Sequence, residues 1–203
     1  VRRGAVVTGI DLSDEAIKKA NELKERMNLE AEFICCNVYD TLAHIDTQFD
    51  IVFTSYGTIG WLPDLNKWAD VICKSLKPGG IFLLVEFHPV VWMFDNAIKE
   101  IKYSYFNKET IAEIEEGTYA DREAEIENNK SVSWNHSLDE SISALLHAGL
   151  HIEAFKEYDY SPYNIYTDGI EIEKNKFQIK GLEGKLPLVF ALKAKKDISD
   201  AAI

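Results

Sequence analysis

Blocks of apolar residues alternate along this chain between a period of two and a helical period. Ala5–Asp11 is a β-rich run that stops on an acid and predicts a first strand. Ser13 then reads as a helix N-cap, with Asp14 and Glu15 in the first turn. Ala16, Ile17, Ala20, Leu23 and Met27 follow at helical spacing. Ala31–Asn37 and Phe49–Ser55 predict a second and a third strand. A helix is expected over Asp64–Leu76, with Leu65, Trp68, Ala69, Ile72 and Leu76 on one face. Lys77, Pro78, Gly79 and Gly80 form its stop signal. Ile81–His88 predicts a fourth strand, apolar on both faces.

Near-continuous apolar strands separated by helices indicate a mostly parallel sheet with helices on both faces, an α/β three-layer arrangement. The alternation lapses over residues 89–135, which are aromatic, acidic and irregular. That stretch is too long for a simple connection and reads as an inserted lid with some helix. A clear helix follows, with Ser137 and Glu140 as a capping-box pair and Gly149 as its stop. His151–Tyr160 and Leu186–Lys193 read as two closing strands joined by a turn-rich stretch. No internal repeat or linker divides the chain, so residues 1–203 are expected to form one domain. The opening Val-Arg-Arg-Gly-Ala reads as the end of a helix, which leads us to expect further sequence upstream.

Composition narrows the possible partners. A formal net charge of −12 and a pI near 4.9, with no offsetting basic patch, argue against nucleic acid and anionic membrane surfaces. No apolar stretch is long enough to span a bilayer. Cys35, Cys36 and Cys73 lack metal-ligand spacing and read as small core residues in a reducing, cytoplasmic setting. No metal site is expected.

In an open α/β sheet, ligands bind outside the carboxyl ends of the strands. The predicted ends are Asp11, Asn37, Ser55 and His88, all on one rim if the strands run parallel. A carboxylate at Asp11 suits two vicinal ribose hydroxyls, and Asn37 suits an adenine edge. Leu12 and Val38 beside them would sandwich a flat base.

The run Val-Thr-Gly-Ile-Asp-Leu-Ser (residues 7–13), followed by Phe49–Val52, Leu76–Gly80 and the fourth strand, resembles the class I S-adenosylmethionine-dependent methyltransferases over residues 4–88. The segment from Ser133 onward is similar to the C-terminal half of bacterial small-molecule members. The resemblance implies a Rossmann-like fold and methyl transfer to a small-molecule acceptor by in-line displacement. S-adenosylmethionine would be the cofactor and S-adenosylhomocysteine the product. It also implies cofactor roles: Asp11 on the ribose, and Leu12, Asn37, Val38 and Tyr39 around the adenine. Ser55, Tyr56 and Gly57 would border the methionine end, with Trp61 just beyond. The family's glycine-rich loop is absent from residues 1–203 and is expected upstream, with the first strand and helix of the fold.

Candidate bases are His88, at the fourth strand's exit, and His136, before a helix cap. Alternatively His88 is a turn residue and His136 a helix-entry residue. Glu86 shares His88's strand face; it either orients that ring or is a paired buried acid. Trp92, Phe94, Tyr103, Tyr105, Phe106, Trp134, Tyr158, Tyr160 and Tyr163 offer an acceptor pocket, or else the core of the insertion. An alternative reading is a non-catalytic cofactor-binding or subunit-interaction domain, with the aromatic insertion as its interface and a possible route to a homo-oligomer. A nicotinamide-dependent reductase also fits the strand-end acid, but no Tyr is followed four residues later by the Lys its short-chain form needs.

Overall fold

In the computed structural model, residues 1, 3–95, 98–114 and 130–198 are described. The first strand, β1 (Val7–Asp11), leads into helix α1 (Asp14–Arg26). Ser13 caps α1, its Oγ accepting from Ala16 N–H. β2 (Ala31–Cys35) returns parallel to β1. A 3-10 turn over Val38–Asp40 and a one-turn helix, α2 (Thr41–His44), precede β3 (Phe49–Thr54). Helix α3 (Leu65–Ser75) starts at Asp64, whose side chain accepts from Lys67 N–H. It runs into β4 (Leu76–Phe87), parallel to β3.

The stretch after β4 differs from expectation. It contains a 3-10 turn, Val91–Met93, and an antiparallel pair, β5 (Ile111–Ile114) and β6 (Lys130–Ser133). No α-helix falls among its described residues; positions 96–97 and 115–129 lie outside them. Ile111 is buried while Ala112 and Ile114 are exposed. Helix α4 (Leu138–His147) follows, then β7 (Leu150–Tyr158). A second hairpin missed in the sequence, β8 (Gly169–Glu173) with β9 (Lys176–Ile179), occupies the turn-rich stretch. β10 (Val189–Lys196) closes the chain, antiparallel to both β4 and β7.

The main sheet has the order β3-β4-β10-β7, with β1-β2 as a separate parallel pair. Phe82 and Leu84 of β4 and Phe190, Leu192 and Ala194 of β10 meet Trp68 and Ile72 of α3 and Leu145 of α4 in the principal core. Trp68 packs edge-on to Phe82, ring centroids 5.6 Å apart. Lys196, buried on β10, donates from Nζ to the carbonyls of Cys73 (2.8 Å) and Leu76 (3.0 Å). It thus satisfies orphan acceptors at the end of α3, where the helix dipole favours a cation.

The capping box expected at α4 is only half formed. Ser137 Oγ accepts from Glu140 N–H at 3.1 Å, but the Glu140 carboxylate turns to His136 instead of returning to the cap. The cysteine expectation also changes in one respect. Cys36 and Cys73 are buried, whereas Cys35 is exposed, because its side chain falls on the outer face of the edge strand β2.

Among the described residues β1 pairs only with β2, and β3 only with β4. Val6, Ile51 and Phe53, apolar residues on or beside the two free edges, are more than half exposed. None of the residues of α1 is buried.

Burial therefore divides the chain unevenly, and stability should follow it. Trp68→Ala should cost about 3–5 kcal/mol in urea unfolding, the range for removing a fully buried aromatic. Leu23→Ala on the exposed face of α1 should stay within about 0.5 kcal/mol.

Candidate functional site

The loop that follows β2 is joined to the start of α3 by a tyrosine. Tyr39, just past β2, donates its hydroxyl to Asp64 O at 3.1 Å and accepts from Asp64 N–H at 3.0 Å, at the start of α3. Asn37 Oδ1 accepts from Tyr39 N–H (3.0 Å) and so caps the turn that presents Val38 and Tyr39. On β1, Asp11 is exposed, and its Oδ1 accepts from Ser13 N–H at 2.8 Å. That bond fixes the carboxylate at the strand exit. Leu12 beside it is 71% exposed, an uncovered apolar side chain at the strand exit.

The loop from β3 to α3 is held from below by a buried carboxylate. Glu86, 2% exposed near the end of β4, accepts from the backbone N–H groups of Gly57, Thr58 (2.9 Å), Ile59 (3.2 Å) and its own neighbour Phe87 (2.7 Å). Gly57 adopts φ +79°, a conformation that favours glycine and turns its N–H toward the carboxylate. Burial pushes the Glu86 carboxyl up to about 7, despite four N–H groups that favour its charged form. Glu86 does not orient His88, because both its oxygens are committed to the loop.

Above this clamp lies a cavity of about 1060 Å³ at the carboxyl ends of β3 and β4. Tyr56, Gly57 and Trp61 form one wall, and Phe87, Val91 and Trp92 another. Ile111, Glu113, Ser131 and Ser133 of the β5–β6 hairpin also line it, as do Tyr163 and Tyr166. Tyr56, Phe87, Trp92 and Tyr163 form a connected aromatic array with ring centroids 5.2–6.2 Å apart. A smaller recess of about 600 Å³ lies at the opposite, amino end of β3, beside Gln48 and Lys77.

The two histidines sit differently. His88 is buried and does not line the cavity. Its Nδ1 accepts from Val90 N–H at 3.2 Å, which leaves the proton on Nε2 to be donated to Glu157 Oε1 at 2.9 Å. Desolvation lowers its pKa, partly opposed by Glu157. His136 does line the cavity, yet both ring nitrogens are engaged, Nε2 with Leu62 O (2.7 Å) and Nδ1 with Glu140 Oε1 (3.0 Å). As placed, both rings position backbone and neighbours rather than presenting a free lone pair.

Of the nine cofactor candidates, Tyr56, Gly57 and Trp61 line the cavity, while Asp11, Leu12, Asn37, Val38, Tyr39 and Ser55 do not. Of the aromatic set, Trp92, Phe94, Tyr103, Trp134 and Tyr163 line it; Tyr105, Phe106, Tyr158 and Tyr160 do not. Of the two readings the sequence left for Glu86, the structure has the paired buried acid, and its partners, the loop N–H groups, were not foreseen. Asn135 and Tyr166, two further lining residues, were missed entirely. Among the described residues no cluster of His, Cys, Asp and Glu is arranged to hold a metal ion. No described helix is long and apolar enough to cross a membrane.

The α/β arrangement, with its cavity at the exits of β3 and β4, is that of a Rossmann-like domain. The model of the family described as "Methyltransferase domain" matches residues 1–84. A relative from Bacillus subtilis, "Uncharacterized methyltransferase YbaJ", is 25% identical over 159 residues, covering 76% of this chain and 60% of that one. A "Ubiquinone biosynthesis O-methyltransferase" from Psychrobacter cryohalolentis is 35% identical over 97 residues, 46% of this chain and 37% of that one. The chain thus spans less than two thirds of the length of each of these relatives. Among solved structures, an S-adenosylmethionine-dependent methyltransferase from Clostridium acetobutylicum superposes with a TM-score of 0.60 at 13% identity, over 95% of this chain and 83% of that one. The geranyl diphosphate C-methyltransferase of Streptomyces coelicolor, solved with S-adenosyl-L-homocysteine, gives 0.57 at 15% identity, over 96% and 66%. These likenesses show the fold. Residues 1–84 match the methyltransferase-domain family, and the fold is that of the S-adenosylmethionine-dependent methyltransferases.

Glu86 gives the site a pH signature. A free carboxyl titrates near 4.5 and this one at about 7, so between those values the folded protein holds a proton that the unfolded chain has lost. The resulting stability is full below the lower value and is lost as pH rises through the upper one. Urea titrations should show this contribution falling by about 3 kcal/mol between about pH 4.5 and pH 8. In Glu86→Gln that part of the pH dependence should vanish.

Proposed function

We propose that this protein is an enzyme transferring a methyl group from S-adenosylmethionine to a small-molecule acceptor bound in the cavity. The observation that carries the reading is the placement of the cavity. It opens at the exits of β3 and β4, and the reading puts the nucleoside beside it, at the exits of β1 and β2, where Asp11, Leu12, Asn37 and Val38 follow their strands.

The residues present fit the nucleoside part of the cofactor. The tethered Asp11 carboxylate would accept from the ribose hydroxyls, and exposed Leu12 and half-buried Val38 would pack on the adenine. Asn37 and Tyr39 would border its edge. Ser55, Tyr56 and Gly57 would flank the methionine end, on a loop that Glu86 fixes in place. Trp61, 57% exposed, would cover the junction between cofactor and acceptor. When bound, S-adenosylmethionine supplies an electrophilic methyl group on a sulfonium.

The chain's own contribution is orientation and the exclusion of water. Reacting atoms must be held roughly 3–3.5 Å apart and in line, and the rigid loop 55–61 provides one side of that alignment. The β5–β6 hairpin serves as a lid over the acceptor. His136, on the cavity wall, acts first as a positioning residue for the Leu62 carbonyl. It becomes a base only if acceptor binding frees a nitrogen. His88, behind the wall, holds the β4 exit against β7. The reading also calls for a further parallel strand between β1 and β3, whose free edges and exposed Ile51 and Phe53 would accommodate one.

Calorimetry with S-adenosylhomocysteine tests the proposal on the intact protein. Asp11→Ala should weaken binding by about 1.5–3 kcal/mol, the loss of a charge-assisted hydrogen-bonding partner. Affinity unchanged by the substitution would remove Asp11 from the site, and no binding by the unsubstituted protein would end the reading.

A further inference from the structure

Glu86 has no hydrogen-bonding capacity to spare. Its Oε1 accepts from Gly57 N–H and Phe87 N–H, and its Oε2 from Thr58 N–H at 2.9 Å and Ile59 N–H at 3.2 Å. An ionised carboxylate offers about four acceptor sites, and main-chain donors fill them all. A neutral acid cannot keep that set, because its own O–H would point at one of the N–H groups and two donors would face each other. The geometry is therefore that of the ionised form. Burial acts in the opposite sense and raises the carboxyl to about 7, so both forms are populated at neutral pH.

Three of the four donors belong to the loop after β3, and the fourth, Phe87, to β4 itself. Loss of the charge thus loosens residues 57–59 and leaves the strand paired. The far end of the loop is held independently. Trp134 N–H donates to Gly60 O at 2.8 Å, and His136 Nε2 donates to Leu62 O at 2.7 Å. The change is confined to a short segment and does not spread into α3.

Other titratable groups near Glu86 do not set its titration. On β4 the same face carries His88, whose ring is bonded to Glu157 of β7 and whose pKa desolvation lowers. Across on β10 the register partner is Phe190, which is apolar. The loop brings Tyr56, and the cavity wall brings Tyr103 and Tyr166, phenols that burial pushes up and keeps neutral. Tyr163, Asp95, Glu113 and His136 also line the cavity; Glu113 is bonded to Lys102 and Tyr103, and His136 to Leu62 O and Glu140. What moves the Glu86 carboxyl is desolvation set against four N–H groups.

We infer that Glu86 is a positioning residue for the cofactor: only its ionised carboxylate holds Gly57, Thr58 and Ile59 in the form that receives the methionine end, so cofactor binding expels the Glu86 proton to solvent. The inference rests on the proposed cofactor site and adds a proton to its binding equilibrium. Apparent affinity then scales with the ionised fraction.

Calorimetry with S-adenosylhomocysteine on the intact protein reads this directly. For a group titrating at about 7, affinity should be about tenfold weaker at pH 6 than at pH 8. At pH 7 about half a proton should leave per molecule bound, read from the difference in binding heat between phosphate and Tris buffers. Glu86→Gln should bind weakly and equally at both pH values, while Glu86→Asp should keep the pH dependence. In the free protein, amide protection at residues 57–59, corrected for the intrinsic rise of exchange with pH, should increase about tenfold over the same range. Binding that is equal at pH 6 and pH 8, or a pH dependence that survives in Glu86→Gln, would overturn the inference and leave the cofactor reading standing. Flat protection in the free protein would overturn it too. No binding at pH 8 would instead end the cofactor reading, and this inference with it.

Discussion

A carboxylate buried beneath a loop organises this site. An apolar residue at position 86 would continue the strand β4 but leave buried N–H groups without an acceptor. Instead the two oxygens of Glu86 collect backbone N–H groups from Gly57, Thr58, Ile59 and Phe87. Those groups face inward at a strand exit, where no neighbouring strand can take them. One buried acid therefore settles a local shortage of acceptors and, in doing so, fixes the loop between β3 and α3. The carboxyl is held at about 7 because desolvation outweighs the four donors, so the clamp is strong and sensitive to protonation at once.

The cavity follows from that constraint. The fixed loop offers Tyr56, Gly57 and Trp61 as one wall; the end of β4 supplies Phe87; the hairpin β5–β6 and the segment 163–167 complete it. A second small core, with Phe87, Val91, Tyr166, Ile179, Leu188 and Val189, supports the far wall. That core depends on the β8–β9 hairpin, which brings Ile179 under Tyr166. The site is thus assembled from segments far apart in sequence, each anchored to the β3-β4-β10-β7 sheet.

Nucleoside rim and cavity are joined by few contacts. Tyr39 hydrogen-bonds to both the N–H and the carbonyl of Asp64, linking the exit of β2 to the start of α3. Elsewhere the β1-β2-α1 unit shows open edges and an uncovered helix face. A parallel strand inserted between β1 and β3 would satisfy those edges and bury Ile51 and Phe53.

The sequence by itself determined the elements with strong local signals. Ser13, Asp64 and Ser137 mark the starts of α1, α3 and α4, and the apolar runs at 49–54 and 81–87 mark strands, the second of them buried. It also marked the exits of β1 and β2, which fall at Asp11 and just before Asn37. The hairpins β5–β6 and β8–β9 were illegible because short, half-exposed strands carry weak alternation. Only the tertiary structure decided the roles of Glu86, His88 and His136, because a polar side chain's function depends on which distant groups face it. Glu86 meets a loop some thirty residues back in the chain, His88 meets β7, and His136 meets a carbonyl before α3. Periodicity within a segment records which face is buried, and it carries no record of what is on the other side.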